Sequence, residues 1–457
     1  MPSDMATSLF QPPVPAIPAG DLSPQGLLKA LRRNALEIWP ARAYEQAYVT
    51  QRFFGRQRVL MNAAGGIEHV LLSNAANYRR SPATIRILRP IVGRGLFLSE
   101  GEDWRLQRRT IAPALAPRVI PMLARHIVTV GGEALTRLAA ESSRPVDLLA
   151  AMQLLALDVA GRSMFSVEMS RYGAAMRRMI TDFGDRLGRP YLFDMLLPPW
   201  IPTLRDLKRR QFRAGWTKLM NSIIADRQAL PAGEAPRDMF DLLRAARDPE
   251  TGQGFSEAEL RDQVSTMIVA GHETTALALF WSLYLLASAP AVQERLAEEV
   301  AAVDFTPETA GQILPRLAFT RAVVSEALRL YPPAFVIVRE AIADDSFGEV
   351  KIPAGSQVLI APWVLHRHRK LWANPDSFDP ARFLEAASPP PRFTYLPFGV
   401  GPRVCVGAQF AMAEAVLILA MTIQRFRIAR ADSTPVLPVA VVTTQPSHAA
   451  MFRLVAR

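Results

Sequence analysis

The chain has 457 residues, half of them apolar, with 53 lysines and arginines against 42 aspartates and glutamates for a formal charge of +11. That apolar share supports a large core and excludes general disorder, and a single cysteine excludes an internal disulfide framework and suits a reducing, cytoplasmic setting. No zinc-finger spacing or glycine–aromatic RNA-binding signature is present, so no nucleic-acid partner is expected, and the positive charge suits an acidic protein, an anionic surface or simply solvent.

Residues 1–23 read as an extended, proline-rich arm (Pro12, Pro13, Pro15, Pro18) without a charged-then-apolar leader. The remainder, 24–457, reads as one unit. A strand pattern at 58–61 leads into a helix around 66–73. The segment 78–100 reads as a loop ending in Gly93, Gly95 and Phe97. Helical periodicity dominates 101–330, with breaks at Pro190, at 198–202, at 231–236 and at 248–255. Ser256, followed three residues later by Glu259, predicts the start of a long helix. The uncharged stretch 274–292 has the length of a membrane span. It carries Ser282, Ser288 and Pro290, and is read as half of a long helix buried in protein, so no transmembrane segment is expected. Strand-like patterns follow at 335–362, an ordered meander at 371–400, a final helix at 405–427 and short strands. The expected fold class is mainly α with a minor β part (α+β), as a monomer.

Three constellations stand out. The only cysteine stands in Phe398-Gly399-Val400-Gly401-Pro402-Arg403-Val404-Cys405-Val406-Gly407, just ahead of an apolar helix. A helix N-terminus stabilises a thiolate, and glycines let backbone approach a flat ligand. In Ala270-Gly271-His272-Glu273-Thr274-Thr275 an acid and a hydroxyl sit side by side in an apolar helix. The acid needs a partner or water there. The threonine can bond to the carbonyl four residues back and open the helix locally. A carboxyl–hydroxyl–water relay of this kind can move protons. A zinc site of the H-E-x-x-H type fails because residue 276 is alanine. Third, Glu326 and Arg329 share a helix face, a spacing that in isolation marks a surface ion pair, and so do Trp104 and Arg108.

These segments resemble the cytochrome P-450 superfamily. Its signature Phe-x-x-Gly-x-Arg-x-Cys-x-Gly is met at Phe398, Gly401, Arg403, Cys405 and Gly407. Its small-Gly-x-acid-Thr pattern is met at Ala270 to Thr274. Its E-x-x-R helix is met at Glu326 and Arg329, with Arg382 as the partner arginine. The resemblance implies a triangular helical prism around a long central helix, with small β-sheets, holding haem b. It implies Cys405 as the ligand of the iron, a thiolate that favours O–O cleavage. Arg403 then pairs with a propionate, as do Trp104 and Arg108 from a W-x-x-x-R helix, with Arg339 a further candidate. Phe398 packs near the sulfur and Ala270 lies over the haem face. Thr274 steadies bound oxygen and Glu273 feeds protons, while Glu326, Arg329 and Arg382 are structural. The substrate pocket draws on Phe97, Val269, Ala270, Thr274, Ala334, Phe335 and Val336, under a lid at 191–200.

The implied activity is a monooxygenase that inserts one atom of O₂ into an apolar small molecule, by hydroxylation or epoxidation, with a lean to fatty-acid or lipid-like substrates from the wording around Thr274. Gly399-x-Gly401-x-x-Val404 lacks the third glycine of a dinucleotide fingerprint, so electrons are expected from a separate ferredoxin or flavodoxin with its reductase. Two alternatives stay open: a haem-thiolate peroxygenase, dehydratase or isomerase, and a non-catalytic haem sensor. The Glu273–Thr274 pair favours O₂ activation over both.

Overall fold

Ser256 and Glu259 cap the longest helix reciprocally: the Glu259 N–H donates to Ser256 Oγ at 3.3 Å, and its carboxylate accepts the Ser256 N–H at 2.9 Å. The helix that follows, Glu257–Ser288, has 32 residues. The computed structural model describes residues 9–53, 55–166, 171–198, 200–231 and 236–457. Residues 276–286 of this helix are all buried. The helices Leu148–Phe165, Ala318–Leu330 and Ala408–Arg425 pack on it, and Ile120–Glu141 packs on the first and last of these. A helix sheathed on every side has no use for a polar face.

The central helix ends at Ser288. Pro290 has no N–H to continue it and opens a new helix, Pro290–Val300, bent by 114°. The stretch 274–292 is therefore two helices, not half of one. Among the described residues one helix, Leu148–Phe165, is long and apolar enough by length and composition to cross a membrane, and 61% of it is buried inside the protein.

The largest sheet has five strands in the order Tyr48–Phe53, Arg56–Met61, Gln357–Ile360, Ile337–Ala341 and Tyr78–Arg80. Only the second and third of these run parallel. A three-stranded sheet joins Val146–Asp147, Met451–Ala456 and Phe426–Arg430, and a hairpin pairs Pro438–Ala440 with Thr444–Pro446. Residues 9–23 carry no helix or strand, and residues 1–8 of the predicted arm lie outside the described residues.

The segment 78–100 is not a loop. It holds the strand Tyr78–Arg80 and the helix Pro82–Val92. Pro82 and Pro90 disguise that helix, but proline suits a first helical position, and Ile87, Ile91 and Val92 bury one face. The helix closes at Gly93, whose φ is 65°. A Cβ there would meet the Asp262 carboxylate of the central helix at 2.3 Å. Arg94 N–H and Leu96 N–H donate to Asp262 Oδ2 and Gln263 Oε1, each at 2.8 Å, which fixes Phe97 beside the central helix.

Candidate cofactor and active site

The Cys405 N–H donates to the Phe398 carbonyl at 2.9 Å, closing the loop in front of Ala408–Arg425. Gly401 turns that loop with φ 78°, and a Cβ on it would stand 2.0 Å from the Leu71 carbonyl oxygen, so only glycine fits. The Cys405 side chain is exposed on one side and desolvated by the loop on the others. Burial pushes its thiol up, while the Gly407 N–H and the nearby Arg108 charge pull it down. A metal that bound such a sulfur would deprotonate it.

The Trp104–Arg108 pair divides its duties. Trp104 lies under the Arg403 guanidinium, 4.5 Å from ring centroid to charge. Arg108 instead turns to the cysteine loop and donates to the Val404 carbonyl at 2.8 Å. Sequence spacing put both on one helix face, and both meet the cysteine loop, Trp104 at Arg403 and Arg108 at Val404.

Arg80 and Arg339 stand directly opposite each other on paired antiparallel strands. Like charges in that register destabilise a sheet. Arg403 joins them from the cysteine loop, and Glu100 is the carboxylate in their midst, 2.8 Å from Arg403 Nη2 and 3.9 Å from Arg80 Nε. Three guanidiniums against one carboxylate leave a local charge of 3 − 1 = +2. Burial and then mutual repulsion bring Arg80 down to about 9 and Arg339 to about 10, and burial lowers Arg403 as well. Arg80 Nε is buried without a hydrogen-bond partner, and the guanidinium faces the Phe97 ring at 4.5 Å. Arg80 was missed by sequence reasoning because its significance lies in the strand pairing with residue 339.

Among the described residues no three His, Cys, Asp or Glu side chains converge on a common point. A lone sulfur therefore fits a metal that arrives in its own ligand frame. A flat macrocycle carrying two carboxylates matches the glycine-turned loop, the single sulfur and the surplus of two positive charges.

On the central helix, Ala270 is exposed between the half-buried Val269 and Gly271, and a Cβ on Gly271 would meet nothing within 4 Å. Val269 of this helix and Val406 beside Cys405 pack against the same apolar cluster. Thr274 Oγ1 donates to the Ala270 carbonyl at 2.6 Å. The helix nevertheless stays α-helical through 270–275, so the expected local opening is not seen: the hydroxyl shares that carbonyl without prising the turn apart. Glu273 accepts from Thr443 and Gln445. His272 points elsewhere. Its Nε2 donates to the Gln153 carbonyl at 3.0 Å, and burial holds it neutral at about 4.

Behind the loop, Glu326 and Arg329 are fully buried and doubly bonded at 2.6 and 2.7 Å. Arg382 adds a bond to Glu326 Oε1 at 3.2 Å. The two arginines then hold the carbonyls of His366, Ala373, Asn374, Pro375 and Ser377, tying down the meander. Of the expected pocket residues, Phe97 and Ala334 are exposed and Val269 and Val336 half-buried. Phe335 is only 6% exposed and packs into the main core. In the lid segment, buried Asp194 pairs with Arg209 at 2.6 Å and lies 3.7 Å from Arg86. Pro199 lies outside the described residues.

Comparison with known proteins agrees. A family model described as Cytochrome P450 matches residues 38–449. The chain is 35% identical to cyclooctatin synthase of Streptomyces melanosporofaciens over 80% of each chain. It is 31% identical to cyclooctat-9-en-7-ol 5-monooxygenase of the same organism over 74% of each. The crystal structure of the cytochrome P450DA haem domain superposes with a TM-score of 0.81 at 25% identity, covering 97% of this chain and 99% of that one. The chain therefore belongs to the cytochrome P450 family, as an oxidoreductase of the monooxygenase type that works with haem b.

Proposed function

We propose that Cys405 is the iron ligand, that Arg80, Arg339 and Arg403 receive the two propionates, and that an apolar, lipid-like molecule is oxidised against Ala270 and Gly271. The observation that carries this reading is the cross-strand pair Arg80–Arg339, a repulsive arrangement that Glu100 offsets in part and a dianionic ligand would relieve further. When bound, the haem supplies O₂ activation, helped by electron density from the thiolate. The chain's own residues do the rest. The Gly407 N–H and Arg108 steady the sulfur, Thr274 offers a hydroxyl one residue from Glu273, and Glu273 carries protons inward. Phe97, Val269, Ala334 and Val336 exclude water and offer apolar walls without a polar anchor.

The relative named for oxidising cyclooctat-9-en-7-ol supports a cyclic alkenol as readily as a fatty acid. A screen of both classes for a substrate-induced spin-state shift, followed by ¹⁸O₂ labelling, tests the reading. One labelled oxygen in the product is expected; product formed from hydrogen peroxide with no need for O₂ overturns it.

Electrons come from a separate acidic ferredoxin or flavodoxin that docks beside the helix Gly101–Ile111, which carries Arg105, Arg108 and Arg109. Arg105→Glu then slows reduction at low salt, with the difference vanishing at high salt. Equal rates at every salt concentration sink that docking site.

A further inference from the structure

Glu273 is held from outside its own helix. Thr443 Oγ1 donates to Glu273 Oε1 at 3.0 Å, and Gln445 Nε2 donates to the same oxygen while lying 3.4 Å from Thr443 Oγ1. Thr443 precedes and Gln445 lies within the second strand of the hairpin Pro438–Ala440 and Thr444–Pro446. Residues two apart on an extended chain share a face, so both side chains approach the acid together.

Between them stands Thr444, fully buried and fixed at three points. Its carbonyl accepts from Trp281 Nε1 at 2.9 Å, its hydroxyl donates to the Pro332 carbonyl at 2.7 Å, and its N–H donates to the Pro333 carbonyl at 3.2 Å. The opposite strand is held by Asn34, which bonds the Pro438 carbonyl and the Ala440 N–H at 2.9 Å each. The donors to Glu273 thus rise from a rigid post. That post also holds Pro332 and Pro333, immediately ahead of Ala334, so the acid and one wall of the pocket share a support.

A glutamate side chain rotates about several bonds and orders at an entropic cost. Two donors on one oxygen remove that freedom, and bonds to a carboxylate are among the stronger ones. We propose that Thr443 and Gln445 are positioning residues for Glu273, and that the C-terminal hairpin sets through them how well Glu273 passes protons toward Thr274. This rests on the reading of Glu273 as a proton carrier. Neither hairpin side chain needs to touch substrate or haem.

The test uses the reduced, CO-bound holoenzyme, with CO itself as the probe, because the C–O stretch reads the polar groups beside it. Infrared spectra are compared for the wild type, Glu273→Gln, the pair Thr443→Val with Gln445→Met, and Thr443→Ser. The paired variant is expected to shift or split the band in the same sense as Glu273→Gln, and to add nothing when combined with it. Thr443→Ser keeps the hydroxyl and keeps the wild-type band. A merely structural role lowers the thermal midpoint of the paired variant and leaves the band in place. That result, together with a shifted band in Glu273→Gln, overturns the positioning role and leaves the proton-carrier reading standing. A wild-type band in Glu273→Gln overturns both. Should the paired variant fail to hold haem, Gln445→Asn, one methylene too short to reach, decides by the same band.

Discussion

Arg108 Nη1 donates at 2.8 Å to the carbonyl of Val404, the residue before Cys405, and its charge acts on the thiol itself. One side chain therefore fixes both the shape of the loop and the electrostatics of its sulfur. Arg108→Met keeps most of the packing volume and removes both effects. We expect faster haem loss, by about tenfold for about 1.4 kcal/mol of lost bonding, and a thiol that reacts with alkylating reagents only at higher pH in the haem-free protein. Haem retention and thiol reactivity like those of the wild type refute this account of Arg108.

The arginine cluster predicts opposite effects in two states. Arg339→Met removes one of three mutually repelling cations. The haem-free protein should gain or keep stability in urea, while haem affinity falls about 10- to 100-fold, the range for one charged hydrogen bond of about 1.5–3 kcal/mol. Equal losses in both states would mean that Arg339 serves the sheet and not an anion.

Glu326 lies fully buried between Arg329 and Arg382. Glu326→Gln leaves a fully buried guanidinium without its counter-charge. Breaking one side of such a pair costs about 3–5 kcal/mol, and chemical denaturation should show that loss even in the haem-free protein. A loss below about 1 kcal/mol, the scale of an exposed pair, contradicts the structural role.

Stability against pH carries two signatures of opposite sign. Burial holds His366 at about 3 and His272 at about 4, against 6.5 in an unfolded chain. As pH falls below 6.5 the unfolded chain takes up protons that the folded one refuses, so stability drops by about 1.4 kcal/mol per pH unit per histidine. Glu414 is the reverse case. Burial raises its carboxyl from 4.5 to about 8, so the stability it contributes is complete below 4.5 and lost as pH climbs to 8. Glu414→Gln should therefore stabilise the protein at pH 8 and change little at pH 4.5. A shift of equal size at both values would contradict the buried, protonated carboxyl.

Local signals in the chain were readable where one short segment carries its own geometry. The Ser256–Glu259 cap and the Gly-turned cysteine loop are of this kind, because caps and tight turns depend on neighbours in sequence. Glu326, Arg329 and Arg382 were readable as a motif, though which carbonyls they hold was not. What escaped depends on long-range pairing. Arg80 acquires meaning only when its strand meets Arg339, and Thr443 and Gln445 lie 170 and 172 positions from the acid they hold. The helix Pro82–Val92 escaped because two prolines outweighed its apolar face. The core packing of Phe335 was not readable either, because an apolar residue looks the same in sequence whether it packs in a core or lines a pocket.

The most direct test is the absorption spectrum of the dithionite-reduced, CO-bound holoenzyme beside Cys405→His. The account predicts a strongly red-shifted Soret band in the wild type, moved to the position of histidine-ligated haem in the variant. A wild-type band already at that position, or one that the variant leaves unmoved, contradicts Cys405 as the iron ligand and with it the roles assigned around it.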